Sequence, residues 1–307
     1  MTVAVGIGTW SRRHLLDVEG LTRDELERIL ALAVEMRAAR GARRHRSLLE
    51  AEVVGLAFYE ASTRTRVSFE LAAKALGATT VDLSVSGSSV VKGESLVDTL
   101  RTLERTGVTT LVLRHGSSGA AHLAARTTGL RVVNGGDGIH AHPTQALLDA
   151  LTLRETFGSL EGVLLTIVGD VVHSRVARSN IHCLLTLGAR VRVAGPPAWV
   201  AGFDAWPEVE VATRLDDGLR GADAVMALRA QLERGASLPP EVAEWRLDEE
   251  RMRLADPGAV VMHPGPTNEG VEITADLANG PRSLVGRQVE NGVPVRMAVL
   301  ALVAGAA

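Results

Sequence analysis

The sequence predicts an α/β protein of two doubly wound parallel-sheet domains with the active site in the cleft between them. Three observations carry that expectation. Short apolar runs alternate with segments of helical periodicity along almost all of the 307 residues, the pattern of a parallel sheet with helices on both faces. The run 162–169 is apolar at nearly every position, as a strand buried on both faces must be. Polar and basic side chains collect just after the apolar runs, where the carboxyl ends of parallel strands hold ligands.

Taken in order, Thr22 and Glu25 have capping-box spacing ahead of Leu26, Ile29 and Leu30, so a helix is expected over 22–40. Gly41 and the basic patch Arg43-Arg44-His45-Arg46 mark its end, and that patch reads as a solvated helix terminus. Val53-Val54-Gly55-Leu56-Ala57-Phe58-Tyr59 is the first strand. Ser62-Thr63-Arg64-Thr65-Arg66 then turns the chain into a helix over 67–76, in which Phe69, Ala72, Ala73 and Leu76 share a face, and Gly77 stops it. A strand at 81–84 leads into a polar, glycine-containing loop over 85–95, the kind that carries function more often than packing. A helix over 95–105, a strand over 109–114, a helix over 119–128 and a strand over 130–134 follow, and Gly135-Gly136-Asp137-Gly138 reads as a loop.

Pro143 opens a helix to 156. The second series runs strand 162–169, helix 173–187, strand 190–194, a break at Pro196-Pro197, and strands 209–212, 224–228 and 259–262. An apolar segment of helical character, 293–304, closes the chain. The boundary is placed at 139–141: residues 1–141 form one domain and 142–289 the other, with a C-terminal helix of about 290–307 packing back on the first.

Composition narrows the function. Aromatic residues make up 3% and the net charge is −3, so there is no basic and aromatic surface for stacking nucleobases, and nucleic acid is not an expected partner. Cys183 is the only cysteine, which excludes an intrachain disulfide, a cysteine-based zinc site and a cysteine-pair redox motif. Met1 to Trp10 lacks the basic lead and full apolar core of a secretory leader, and no apolar run spans a membrane, so a cytoplasmic protein with no membrane partner is expected.

The strand tips carry the chemistry. Ser62 to Arg66 combines hydroxyls, guanidinium groups and a helix start, whose backbone N–H groups and positive dipole end suit a small, multiply charged anion. Later tips supply Ser88 and Lys92, Arg114-His115, His142-Pro143-Thr144-Gln145, Asp170, His173 and Arg175, Arg229 and Gln231, and His263-Pro264-Gly265-Pro266. Cations gathered on one edge of an acidic protein repel one another unless an anion joins them. There is no nucleophile beside a base, no metal-ligand spacing and no dinucleotide-type glycine fingerprint, so no metal and no cofactor are expected. Positioning and charge stabilisation remain, which is what group transfer from an acyl-type or carbamoyl phosphate requires.

Ser62-Thr63-Arg64-Thr65-Arg66, Lys92-Gly93-Glu94, His142-Pro143-Thr144-Gln145 and His263-Pro264-Gly265-Pro266, in this order and spacing, resemble the catalytic chains of the aspartate/ornithine carbamoyltransferases. The likeness runs from about Leu21 to Leu302. Lys92 before Gly93-Glu94, and Gly265 where ornithine enzymes typically carry cysteine, favour the aspartate branch. The resemblance implies transfer of a carbamoyl group from carbamoyl phosphate to L-aspartate, early in pyrimidine biosynthesis, by residues 1–141 as carbamoyl-phosphate-binding domain and 142–289 as aspartate-binding domain. It implies that Ser62, Thr63, Arg64, Thr65 and Arg114 hold the phosphate. Thr65, Arg114 and His142 would donate to the carbonyl oxygen, while Gln145 orients the carbamoyl amide. Ser88 and Lys92 would enter a neighbouring subunit's site, making a homotrimer. Arg175, Arg229 and Gln231 would bind the aspartate carboxylates, with backbone of Pro264 and Gly265 closing on the ligands. Separate regulatory or pathway-enzyme chains are compatible partners. The chain departs from relatives that read Asn-Arg-Gly where it has Asn268-Glu269-Gly270. Two alternatives stay open, a carbamoyltransferase for a different amine and a non-catalytic carbamoyltransferase-like scaffold.

Overall fold

A computed structural model of the chain describes residues 10–38, 45, 47–84, 94–229 and 242–307. Two compact units are present: Met1–Leu148 with Glu290–Ala307, and Asp149–Val289. The first contains helix α1 (Arg23–Ala38), strand β1 (Val53–Phe58), helix α2 (Thr63–Ala75), strand β2 (Thr79–Ser84), helix α3 (Leu96–Arg105), strand β3 (Thr110–His115), helix α4 (Ala120–Thr127) and strand β4 (Arg131–Asp137). Its sheet is fully parallel in the order β2-β1-β3-β4.

Local signals build these elements as the sequence suggests. At α1 the capping box forms, with Glu25 N donating to Thr22 Oγ1 at 3.2 Å and Thr22 N to Glu25 Oε2 at 2.8 Å. Ser95 caps α3 by accepting from Asp98 N at 3.2 Å. Leu100, Leu111, Leu113, Ala121, Ala124 and Val132 fill the layer between this sheet and its helices.

One expectation fails at β4. Gly135-Gly136-Asp137, expected in a loop, continue the strand: the β3–β4 register shifts between Leu113 and His115, and Gly136 at φ +114° lets the bulged strand bend and still pair His115 with Asp137.

The division between units falls within helix α5 (Pro143–Phe157). The second unit then has strand β5 (Leu164–Val168), helix α6 (Arg175–Thr186), strands β6 (Arg190–Ala194) and β7 (Val209–Ala212), helix α7 (Leu215–Leu219), strands β8 (Ala224–Ala227) and β9 (Val260–Met262), and helix α8 (Ala275–Asn279). Its sheet is also parallel, ordered β7-β6-β5-β8-β9. Helices α7 and α8 are five residues each, too short for a sequence period to reveal. Val168, Ala194, Val225, Val261, Ile273 and Leu277 belong to this unit's core, and Cys183 is buried on α6.

The final helix, α9 (Val285–Ala304), begins eight residues before the apolar run that announces it, and it contains Pro294. Its first turns bury polar Gln288 and Asn291 rather than aliphatic residues, so hydrophobic periodicity misses them. Among the described residues no helix is long and apolar enough to cross a membrane.

Candidate active site

In an open parallel sheet ligands bind where neighbouring strands connect in opposite directions. In the first unit that point lies between β1 and β3. Phe58 is the register partner of Arg114, and Tyr59 N donates to Arg114 O at 2.8 Å, so the turn after β1 and the end of β3 are held side by side. The sequence places Ser62–Thr65 on one of these tips and Arg114 on the other.

Helix α2 starts here with Ser62 in extended conformation as its N-cap, and the Ser62 hydroxyl makes no capping bond. No acidic side chain occupies the first turn, so the positive helix end is not neutralised from within. Thr65 is buried, whereas Thr63 and Arg64 are exposed. Arg66 is committed elsewhere, to Asp82 at 2.7 Å. Arg114 is half-buried; its Nη1 donates to Gly135 O at 3.2 Å and its Nε lies 3.4 Å from Glu60 Oε2. Burial pushes the neighbouring His115 below its ordinary value, and its Nδ1 accepts from Ser117 N at 2.9 Å, so the ring is a neutral acceptor on that side.

His142 and Gln145 are both buried at the start of α5, where Pro143 takes the first helical position. What aims this segment is Asp137, which the sequence reading leaves as a loop residue. Its carboxylate, 1% exposed, accepts from Gly119 N (2.6 Å), Asn134 Nδ2 (2.7 Å) and Ala141 N (3.2 Å), and meets His140 Nδ1 at 3.1 Å. One side chain thus ties the end of β4, the start of α4 and the turn before His142. Gly138 in that turn has φ +46°, and a Cβ there would lie 2.5 Å from Ser118 N, so only glycine fits.

The Asp137–His140 pair predicts a pH dependence. The hydrogen bond to Asp137 holds His140 above its ordinary 6.5 against the opposing effect of burial. Burial pushes Asp137 up, but bonds from His140 and Asn134 outweigh it and hold the carboxyl below 3.8. The histidine contribution is complete below pH 6.5 and is lost as pH rises through the raised value; the aspartate contribution is present above 3.8 and is lost as pH falls through the lowered one. Wild type should therefore exceed His140→Gln in melting temperature most at pH 5 to 6, with the gap closing towards pH 9. Thermal melts across that range check it, and a gap independent of pH would contradict the assignment.

In the second unit the corresponding point lies between β5 and β8. Leu228 N donates to Val168 O at 2.8 Å, and a Cβ on Gly169 (φ +124°) would stand 2.5 Å from Leu228 O, so glycine is required for the strands to meet. Asp170, His173 and Arg175 follow β5, and Arg229 follows β8. Asp170 is fully buried and contacts the His173 ring at 2.9 Å. Arg175, 3% exposed, opens α6, whose N-cap Ser174 accepts from Ala177 N at 3.1 Å.

Next to β8, β9 delivers the loop His263-Pro264-Gly265-Pro266. His263 Nδ1 accepts from Gly265 N at 2.8 Å, which leaves the proton on Nε2 to donate to Glu272 Oε1 at 3.1 Å. Glu272 Oε1 also accepts from Asn268 N at 2.6 Å. The exposed Glu269 points to Asn279, with 3.5 Å between them.

Ser62, Thr63, Arg64, Thr65, Arg114, His142 and Gln145 therefore belong to the first unit, and Arg175, Arg229, Pro264 and Gly265 to the second. Ser88, Lys92 and Gln231 lie outside the described residues, as do Arg43, Arg44 and Arg46 of the basic patch. Asp137, Asn134, Glu60 and Glu272 were missed by sequence reasoning. The available signal was acidic and amide side chains at the ends of apolar strands, which covers Glu60, Asn134 and Asp137, whereas Glu272 lies ten residues past β9 and carries no such signal.

Residues 13–155 match the family model described as the aspartate/ornithine carbamoyltransferase carbamoyl-P binding domain, and residues 161–303 match the Asp/Orn binding domain of the same family. The aspartate carbamoyltransferase catalytic subunit of Gluconobacter oxydans is 52% identical over 295 residues, covering 94% of each chain. The aspartate transcarbamoylase of Trypanosoma cruzi, solved in complex with carbamoyl phosphate and aspartate, superposes with a TM-score of 0.84 at 30% identity over 94% of each chain. The ornithine carbamoyltransferase of Pyrococcus furiosus gives a TM-score of 0.87 at 28% identity, covering 97% of this chain and 99% of that one.

Proposed function

The chain belongs to the aspartate/ornithine carbamoyltransferase family, and from that premise we propose that it transfers the carbamoyl group of carbamoyl phosphate to the amine of L-aspartate. The products are N-carbamoyl-L-aspartate and phosphate, in an early step of pyrimidine biosynthesis. Fold alone does not choose the acceptor, because aspartate and ornithine enzymes match the backbone about equally well. Sequence does: the relative sharing half of its residues with this chain is an aspartate enzyme.

The observation that carries the reading is the start of α2 beside Arg114: an unneutralised helix end, an uncommitted serine hydroxyl and a guanidinium fork at the point where the sheet's connections diverge. In this reading the first unit is the carbamoyl-phosphate-binding domain. Ser62, Thr63, Arg64 and Thr65 hold the phosphate with Arg114. Thr65, Arg114 and His142 donate to the carbonyl oxygen as it gains charge, and Gln145 orients the amide. Arg175, Arg229 and Gln231 bind the carboxylates of aspartate, and backbone of Pro264 and Gly265 meets the ligands. The aspartate nitrogen attacks the carbonyl carbon, the bond from that carbon to the phosphate oxygen breaks, and the departing phosphate takes the amine proton. Holding two reactants in line is itself a large share of the catalysis.

Ser88 and Lys92 are assigned to a neighbouring subunit's site in a homotrimer. The apolar side chains that α2 and edge strand β2 leave exposed, Val67 (40%), Leu71 (46%) and Val81 (39%), support a subunit contact made by α2 and β2.

Steady-state assays with carbamoyl phosphate and each of aspartate, ornithine and a panel of other amines test the reading. Aspartate is expected to give the highest kcat/KM. A higher value for ornithine would move the chain to the other branch, and turnover with none would favour a scaffold.

A further inference from the structure

Asp149 on α5 is fully buried, and both carboxylate oxygens are engaged by side-chain amides: Oδ1 accepts from Gln288 Nε2 at 2.7 Å and Oδ2 from Asn180 Nδ2 at 2.9 Å. An ionised carboxylate only accepts, so it dictates how each amide must face. Gln288, 3% exposed on α9, turns its NH2 to Asp149 and therefore its Oε1 away, where it accepts from His263 N at 3.0 Å. His263 stands at the head of the loop whose other bonds, from Gly265 N to His263 Nδ1 and from His263 and Asn268 to Glu272, set the backbone through residue 268. A chain of fixed donor and acceptor directions thus runs from Asp149 through Gln288 to that loop. Hydrophobic packing could hold α5 and α9 together without it, whereas the loop's first N–H has no equal substitute.

We infer that Asp149 and Gln288 are positioning residues, which hold the backbone of Pro264 and Gly265 in the conformation that receives aspartate. This rests on the reading above that those two residues meet the substrate. Gln288→Glu is isosteric but sets two buried carboxylates against each other; assayed at pH 9, where ionisation of both is favoured over a shared proton, they repel, one turns away and the His263 N–H loses its partner. Exchanging the polarity, Asp149→Asn with Gln288→Glu, restores each of these three bonds in place: the Asn NH2 donates to the new carboxylate, which still accepts from His263 N, while the Asn oxygen accepts from Asn180.

Full-length wild type, Gln288→Glu and the double variant are compared in aspartate and carbamoyl phosphate saturation curves alongside thermal melts. Gln288→Glu is expected to raise the aspartate KM about tenfold or more, to leave the carbamoyl phosphate KM within about twofold, and to be rescued by the second exchange. An unchanged aspartate KM with only a lower melting temperature, or a double variant as impaired as the single, overturns the inference. If Gln288→Glu does not fold, the uncharged Gln288→Met decides: it removes the bonds to both His263 and Asp149 without adding a charge and should still raise the aspartate KM selectively. Wild-type protein without aspartate turnover would instead overturn the underlying reading of function, so the two failures are distinguishable.

Discussion

Replacing Arg114 by alanine is expected to lower turnover with aspartate by two to three orders of magnitude while the protein still folds. Removing one donor aimed at a developing oxyanion typically raises the barrier by about 3 to 4 kcal/mol. In the assigned role Arg114 serves both the phosphate and the carbonyl oxygen, so the loss falls on kcat as well as on carbamoyl phosphate affinity. The fold is expected to tolerate the change because Arg114 is half-buried, and the partners of its carbonyl bond and its 3.4 Å approach, Gly135 and Glu60, lie outside the apolar layer. Arg114→Lys keeps the charge but loses the planar fork, and should recover only part of the activity. Turnover and melting curves of the two variants check this. Near-normal kcat in Arg114→Ala would remove the residue from the mechanism.

Chains carrying Lys92→Ala and chains carrying Arg64→Ala are each expected to be almost inactive, yet to regain activity when dissociated and reassembled together. If a site draws Arg64 from one subunit and Lys92 from its neighbour, a mixed ring contains sites with both residues intact. Random assembly at equal ratio of a cyclic trimer makes about a quarter of all sites whole. Activity approaching that fraction of wild type is the expected result, measured after mixing and compared with each parent treated alone. No recovery above the parents would confine both residues to one subunit's site, or one of them to none.

The fold class was legible because its signals are local. Alternating apolar runs and helical periods, the all-apolar stretch of β5, the capping box at Thr22 and Glu25, and Pro143 at a helix start each depend on a few neighbouring residues. The basic and hydroxyl side chains after the strands were legible for the same reason. Less legible were the elements that tertiary context overrides: β4 runs through Gly135 and Gly136 because the bulge opposite Leu113–His115 absorbs the bend, and α9 begins in a polar segment because the buried Gln288 and Asn291 find partners in His263 N and Arg37.

By itself the sequence determined that there are two parallel α/β series, that cations and hydroxyls stand at their carboxyl ends, and which family's motifs they spell. Strand order was decided only in three dimensions, and with it the placing of the turn after β1 beside the end of β3 and of the tips that carry Asp170 and Arg229 beside one another. So too were the supports behind the site. Asp137 serves the turn before His142 by gathering donors from α4 and β4, and Asp149 reaches His263 through Gln288, 139 residues away along the chain. A buried polar group takes its meaning from the partner that satisfies it, and that partner is set by packing between distant segments rather than by any period a single segment can carry.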